Sequence, residues 1–355
     1  MRALSIGLNF RGSHGLLIRV ARYAVALVAM LSAQPASAND IDGALQKANV
    51  YIETAKITER ATESWERYQS WVNLKTGPTG KEPYISYGMY DLYDVERLDM
   101  EIRAVAGAKP SASTLDAMMP RYLDAYEALV PVVNRASAYY DSKGYEADAA
   151  AEGQALHKQM VPLIAAFMKE REAMMPELRV FVRAIEGQEL AAIEARDGRN
   201  GAWQVGHVLH AANRVFDLFP RIRPQPMDSE ERDRMMQEIG PNTSGEKFEE
   251  IMAGVVAPKH VVIDVKRYGE EVENYAKAVG ELESYSGEKP EDFDDFKKLP
   301  RQLLDKLRAY QGPLIKSSGR PFKGDGQMSG QIVEAYFAMF NEGNGMTGSR
   351  LRYLP

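Results

Sequence analysis

A chain of 355 residues with 45% apolar and 26% charged residues has the composition of a globular protein and is too apolar to be disordered. The absence of cysteine excludes disulfides, thiolate metal sites, cysteine nucleophiles and a lipid on an N-terminal cysteine. A net charge of −6 with no basic block argues against nucleic acid or an anionic membrane as partner.

The first 38 residues stand apart. MRALSIGLNFRGSHGLLIRVARY carries Arg2, Arg11, Arg19 and Arg22 and no acid, AVALVAML is a short apolar core, and AQPASA ends in Ala36-Ser37-Ala38. This is the pattern of a secretory signal peptide, with cleavage expected between Ala38 and Asn39. The apolar core is too short to anchor the chain in a bilayer, and the arginines are not paired as a twin-arginine signal requires. Loss of those four arginines takes the net charge from −6 to −10. The expected location is periplasmic or secreted, with no transmembrane span after cleavage and no lipoprotein anchor.

From residue 40 onward almost everything reads as helix. In 40–72, Ile41, Leu45, Ala48, Ile52, Ala55, Trp65, Tyr68 and Val72 recur mostly at steps of three and four. NLKTGPTGKEP (73–83) breaks the pattern, and 84–105 resumes it with Tyr84, Tyr87, Tyr90 and Tyr93 as a curved aromatic stripe. After AGAKPSAS, with Ser113 or Thr114 as cap, 115–140 carries the clearest stripe: Leu115, Met119, Tyr122, Tyr126, Leu129, Val133, Ala136 and Tyr140. Pro120 and Pro131 inside it predict a kink or a restart. Asp141 to Gly144 is a turn whose glycine allows a positive φ, and a long helix runs from about Asp148 to Arg183 or Arg196.

DGRNG (197–201) is a strong stop, 202–219 is helical, and PRIRPQP (220–226) is a possible sub-boundary near 220–227. Patterns at 227–239 and 246–282 follow, the second interrupted by Pro258 and including the β-branched run 261–265, read as helix. An acidic loop precedes a helix at 297–310. The glycine- and serine-rich 312–330 is expected to be mobile, 331–340 is a last amphipathic helix, and 344–355 is a flexible tail. The fold class is all-α, with long antiparallel helices forming one bundle or two joined bundles.

Few residues suggest chemistry. GPTGKEPY (77–84) lacks the first glycine of a phosphate loop, and Glu82 stands where a hydroxyl must bind magnesium, so a turn is the better account. His207 and His210 form H-x-x-H on one helix, close enough in angle to reach one ion, but two ligands do not close a zinc site and Arg214 shares their side. No serine–histidine–acid order or strained nucleophile turn is evident, so catalytic residues are expected to be none and an enzyme has no positive support. His157, with Tyr139 and Tyr140 on the preceding helix, lies on or beside a broad apolar face formed with Val161, Ile164 and Met168. It is expected to be hydrogen-bonded across an α-hairpin corner, with a ligand role left open.

Several segments in order carry a resemblance: KANVYIE (47–53), GPTGKE, YGMYDL (87–92), YLDAYEALVPVVNRASAYYDSKGYEADAAAEGQALHKQMVPLIAAF (122–167) and ELAAIEARDGRN (189–200). Together they resemble the YiiG-like family of bacterial exported proteins, whose shared domain has no known function. The likeness runs from about 44 to 343, is most specific over 122–167 and weak after 220; VEAYFAMFNEGN looks like the family's closing helix. It implies one α-helical extracytoplasmic domain over 39–343. The matching positions Tyr139, Tyr140, Asp148, Gly153 and His157 support membership and assign no role.

The expected function is a non-catalytic binding or envelope-associated module. The alternatives are a metal- or small-ligand-binding protein using His157 or the His207–His210 pair, and a hydrolase or other enzyme. No cofactor is expected, and the partner is unknown: an envelope protein or a small ligand.

Overall fold

The computed structural model describes residues 38–219 and 263–352. The signal segment up to residue 37, the proline-rich boundary at 220–226 and the helical patterns at 227–239 and 246–262 lie outside them. The described residues are helical with no strand, so the fold is all-α.

The first bundle contains α1 (Ala38–Gln69), α2 (Glu96–Ala106), α3 (Ser113–Asp141), the single turn α4 (Gly144–Asp148) and most of α5 (Ala151–Asp197). The predicted stripe of α3 is its buried face: every member from Leu115 to Tyr140 is in the core. Pro120 and Pro131 do not interrupt α3. Pro131 is exposed and so is Glu127, whose carbonyl it leaves without an amide, so water can serve that group. α5 spans Pro162 and Pro176 in the same way and, at 47 residues, extends about 70 Å.

α6 (Gly201–Phe216), α7 (Val265–Ser284), the short α8 (Phe293–Phe296), α9 (Lys298–Lys316) and α10 (Asp325–Asn344) surround a second apolar core. Its aromatics include Tyr268, Tyr275, Tyr310 and Tyr336, with Phe216 stacked on Tyr336 at 3.9 Å. The first core draws on residues 41–185 together with Leu351, the second on 205–340, and α5 packs against α6 between them.

Four local expectations are corrected. Residues 84–95 form no helix beyond a 3-10 turn at Ile85–Tyr87, because side chains claim their backbone groups. Asn134 bonds both the N–H and the carbonyl of Leu92, Ser64 the carbonyl of Tyr90, Ser137 that of Met89 and Trp71 that of Gly88. The tyrosines thus sit on an irregular strip, with Arg67 and Arg60 against Tyr90 at 4.5 and 4.1 Å. Asp264 caps α7 by accepting from the Arg267 N–H at 3.0 Å, so this helix begins at Val265, and Ile263 and Asp264 lie outside it. The segment 312–330 is ordered: α9 runs on to Lys316, and the buried Asp325 opens α10 while accepting from the hydroxyls of Tyr310 and Ser329.

The fourth correction concerns the tail. Residues 345–352 fold back onto the first bundle. Asn49 donates to the carbonyl of Arg350 at 2.9 Å and accepts from the N–H of Arg352 at 2.6 Å. Leu351 enters the first core, and the buried Glu189 accepts from Ser349 Oγ at 2.5 Å and Arg350 N–H at 2.8 Å. Two helix side chains, Asn49 and Glu189, hold the segment through three backbone groups and the Ser349 hydroxyl.

A buried lysine fastens the same stretch of α1 to α3. Lys47 Nζ donates to both carboxylate oxygens of Asp116 at 3.0 Å and to the carbonyls of Ala106 and Pro110. The Tyr51 hydroxyl donates to the same carboxylate at 2.8 Å. A fully buried ammonium is tolerated because every proton has an acceptor.

Candidate functional site

Two places gather the residues singled out in the sequence. The first is the α3–α5 corner. Tyr139 donates to Asp148 Oδ1 at 2.8 Å, while Asp148 Oδ2 accepts from the Glu152 N–H at 2.9 Å, tying the end of α3 to the first turn of α5. Burial, with the bond to Asp148, pushes the Tyr139 phenol up to about 12, and the Glu152 amide holds Asp148 below the usual carboxylate range. Tyr140 packs edge-on against Trp71 at 5.0 Å.

The glycines at this corner serve close approach. The positive φ expected at Gly144 falls on Lys143, at 57°. Gly144 is required for another reason: a Cβ there would stand 2.5 Å from the Tyr139 ring. A Cβ on Gly153 would meet Tyr139 Cε1 and Tyr140 Oη at 3.1 Å and Pro78 at 3.3 Å.

His157 is buried and bonded at both nitrogens. Nε2 lies 3.1 Å from the carbonyl of Leu74 and Nδ1 lies 2.9 Å from the Tyr68 hydroxyl. A carbonyl only accepts, so Nε2 carries the proton and Nδ1 accepts from Tyr68. Burial lowers the pKa of the ring below the ordinary imidazole value. The neighbouring Gln154 donates to the carbonyls of Thr76 and Pro78. Together they clamp the GPTGKE loop, whose Gly77 and Gly80 take φ of 74° and 79°. The corner therefore unites Tyr139, Tyr140, Asp148, Gly153 and His157, and leaves the imidazole without a free nitrogen.

The second place is the seam between the cores, and here the two histidines of α6 part. His207 packs tilted against Trp203 at 4.7 Å and faces Glu281 of α7 at 3.4 Å without hydrogen-bond geometry; burial lowers its pKa. His210 turns toward α5, where Nδ1 lies 3.0 Å from Glu186 Oε2 and so donates to it. Asp217, seven residues beyond His210, binds Arg183 at 2.7 Å. Among the described residues no group of three or more histidines and acids is arranged to hold a metal ion.

His210 lines a cleft walled by α5, α6, the end of α10 and the returning segment 345–352. Glu186, Glu189, Asn213 and Asn344 supply its polar wall, and Leu190, Ile193, Leu209, Phe340 and Leu351 its apolar one. Glu186 also accepts from Arg183 at 2.8 Å and Asn213 at 2.7 Å, and Asn213 in turn accepts from Tyr336 at 2.5 Å. The concave shape and the mixed walls are those of small-molecule sites. Of this cleft the sequence reading had only His210. Its walls come from residues 186–213 and 340–352, so no spacing could collect them. The one local signal was Gly187 inside a long helix.

An all-α protein with two apolar cores, a clamped signature corner and a cleft at the seam is the class defined by this architecture. A family model described as "Protein of unknown function (DUF3829)" matches residues 42–225, just over half of the chain, and the chain belongs to that family. The chain is similar to "Uncharacterized protein YiiG" of Escherichia coli (strain K12), at 26% identity over 198 residues, which span 55% of this chain and 55% of that protein. No solved structure matches the chain. The matched span contains the corner and the α5 and α6 walls of the cleft; the wall from 340–352 lies beyond it.

Proposed function

We propose that this protein is an exported, non-catalytic binding protein of the bacterial cell envelope that holds a small ligand at the seam between its bundles. The cleft carries the reading: it is concave, lies between two packed units and combines an apolar wall with a few placed polar groups. Export is supported by the basic start, short apolar core and A-x-A site of residues 1–38. No helix among the described residues is long and apolar enough to cross a membrane, which agrees with release after cleavage.

Two measurements test the reading. Fractionation of cells expressing the full chain, with N-terminal sequencing, is expected to give envelope or periplasmic protein beginning at Asn39; cytoplasmic protein retaining residues 1–38 would overturn export. A thermal-shift screen of small molecules against the mature protein is expected to give hits lost on filling the cleft with Leu209→Trp. Hits that survive that substitution would move binding elsewhere.

A further inference from the structure

Resting on the cleft reading above, we infer that the ligand is an uncharged, partly apolar molecule bearing an O–H or N–H donor, and that His210 Nε2 is its acceptor. The argument is a census of what the cleft has left to offer. Each charge in its wall is already met by the protein. Glu186 is met by Arg183 at 2.8 Å, and Glu189 by the Arg350 N–H at 2.8 Å with its guanidinium at 3.9 Å. Arg352 is paired with Glu53. Arg183 is shared between Glu186 and Asp217, so no free positive charge remains to fix an anion, and the carboxylate oxygens that could receive a cation are already spent on protein donors.

His210 is different. Its Nδ1–H is committed to Glu186, and this fixes the tautomer, so the neutral ring presents a lone pair at Nε2. Nε2 makes no hydrogen bond among the described residues. The helix beside it leaves that edge uncovered, because the residue there is Gly187. A Cβ at 187 would stand 3.9 and 4.0 Å from Cε1 and Nε2 of His210, with no other contact within 4 Å. A glycine inside a helix is unfavourable relative to alanine, and here no backbone clash compels it. What the missing methyl provides is access to the imidazole edge. Leu190, Ile193, Leu209, Phe340 and Leu351 then cover the apolar part of the guest. The site thus offers one oriented acceptor over an apolar wall.

The test uses three probe types on one ring: benzyl alcohol and benzamide as neutral donors, benzoate as anion and benzylamine as cation. Binding to the mature protein is followed through the His210 imidazole NMR signals at about pH 8, above the ordinary titration range of imidazole. The neutral probes are expected to bind at least about 10-fold more tightly than the charged ones. His210→Leu, which keeps the apolar volume, is expected to weaken neutral-probe binding about 3–10-fold, as loss of one hydrogen bond does. Gly187→Ala keeps the acceptor and favours the helix, yet places a methyl at the ring edge. It is expected to weaken the neutral probes in the same direction, which keeps the test valid if His210→Leu misfolds. Preference for benzoate or benzylamine, or neutral binding unchanged in both variants, would overturn the inference while leaving the cleft as a site. If no probe moves a cleft signal, the cleft reading itself fails.

Discussion

His157 and His210 are both held by α5, the first as part of it and the second against it, and they are bonded in opposite manners. At the corner the imidazole spends both nitrogens on the protein, on the Tyr68 hydroxyl and the Leu74 carbonyl. At the seam it spends one, on a carboxylate, and keeps the other at the edge of a cleft. The first arrangement fixes a loop; the second orients an acceptor. Counting ring partners therefore separates a fastening histidine from a presenting one, which sequence spacing does not.

The comparison breaks first at the corner. His157→Ala removes the ring and leaves both partners buried without it, so a loss of about 2–4 kcal/mol in urea unfolding is expected. A loss under about 1 kcal/mol would mean the clamp is ornamental. Gly153→Ala pushes a methyl toward both tyrosines, and about 1–3 kcal/mol of destabilisation is expected from chemical denaturation. Acid should act on the same residue. The folded pKa of His157 lies below the ordinary value of 6.5, so in that range the unfolded chain binds more protons than the folded one. Its contribution is complete above pH 6.5 and is lost as pH falls through the folded pKa. Melting temperature should drop over that window. His207 is shifted the same way, so His157→Ala should remove only part of the slope. The smallest effect is expected at the seam: His210→Leu should change stability by within about 1 kcal/mol, since Glu186 retains Arg183 and Asn213. A corner-sized loss there would make the two histidines equivalent and end the distinction.

The helices were legible because burial repeats along them. The stripe from Leu115 to Tyr140 names the inner face of α3, and neither proline cancels it, since packing outweighs one missing bond that water can replace. The strip 84–95 was misread for the complementary reason. Its period-three tyrosines satisfy a helical template, while Asn134, Ser64 and Ser137, distant in sequence, take its backbone partners. At the corner the segment 139–157 contained its own pieces, so the hairpin could be anticipated; the partners of His157, at Tyr68 and Leu74, could not. The cleft was illegible because its walls meet only when residues 340–352 return to α5. H-x-x-H suggested a shared ion, yet the sixty-degree offset of the two side chains was enough to send them to different helices.

The return of residues 345–352 has a consequence in time. The helices of the first bundle are complete at Asp197, but its core lacks Leu351, and the buried Glu189 lacks Ser349 and the Arg350 amide, until residues 349–351 exist. A chain emerging from the N-terminus builds its first half early and seals it last. Deleting residues 345–355 should therefore loosen the half of the molecule farthest from the cut along the chain, and amide exchange in α1 and α5 should quicken before that in α7 and α9. The finishing of one bundle is written at the end of the other.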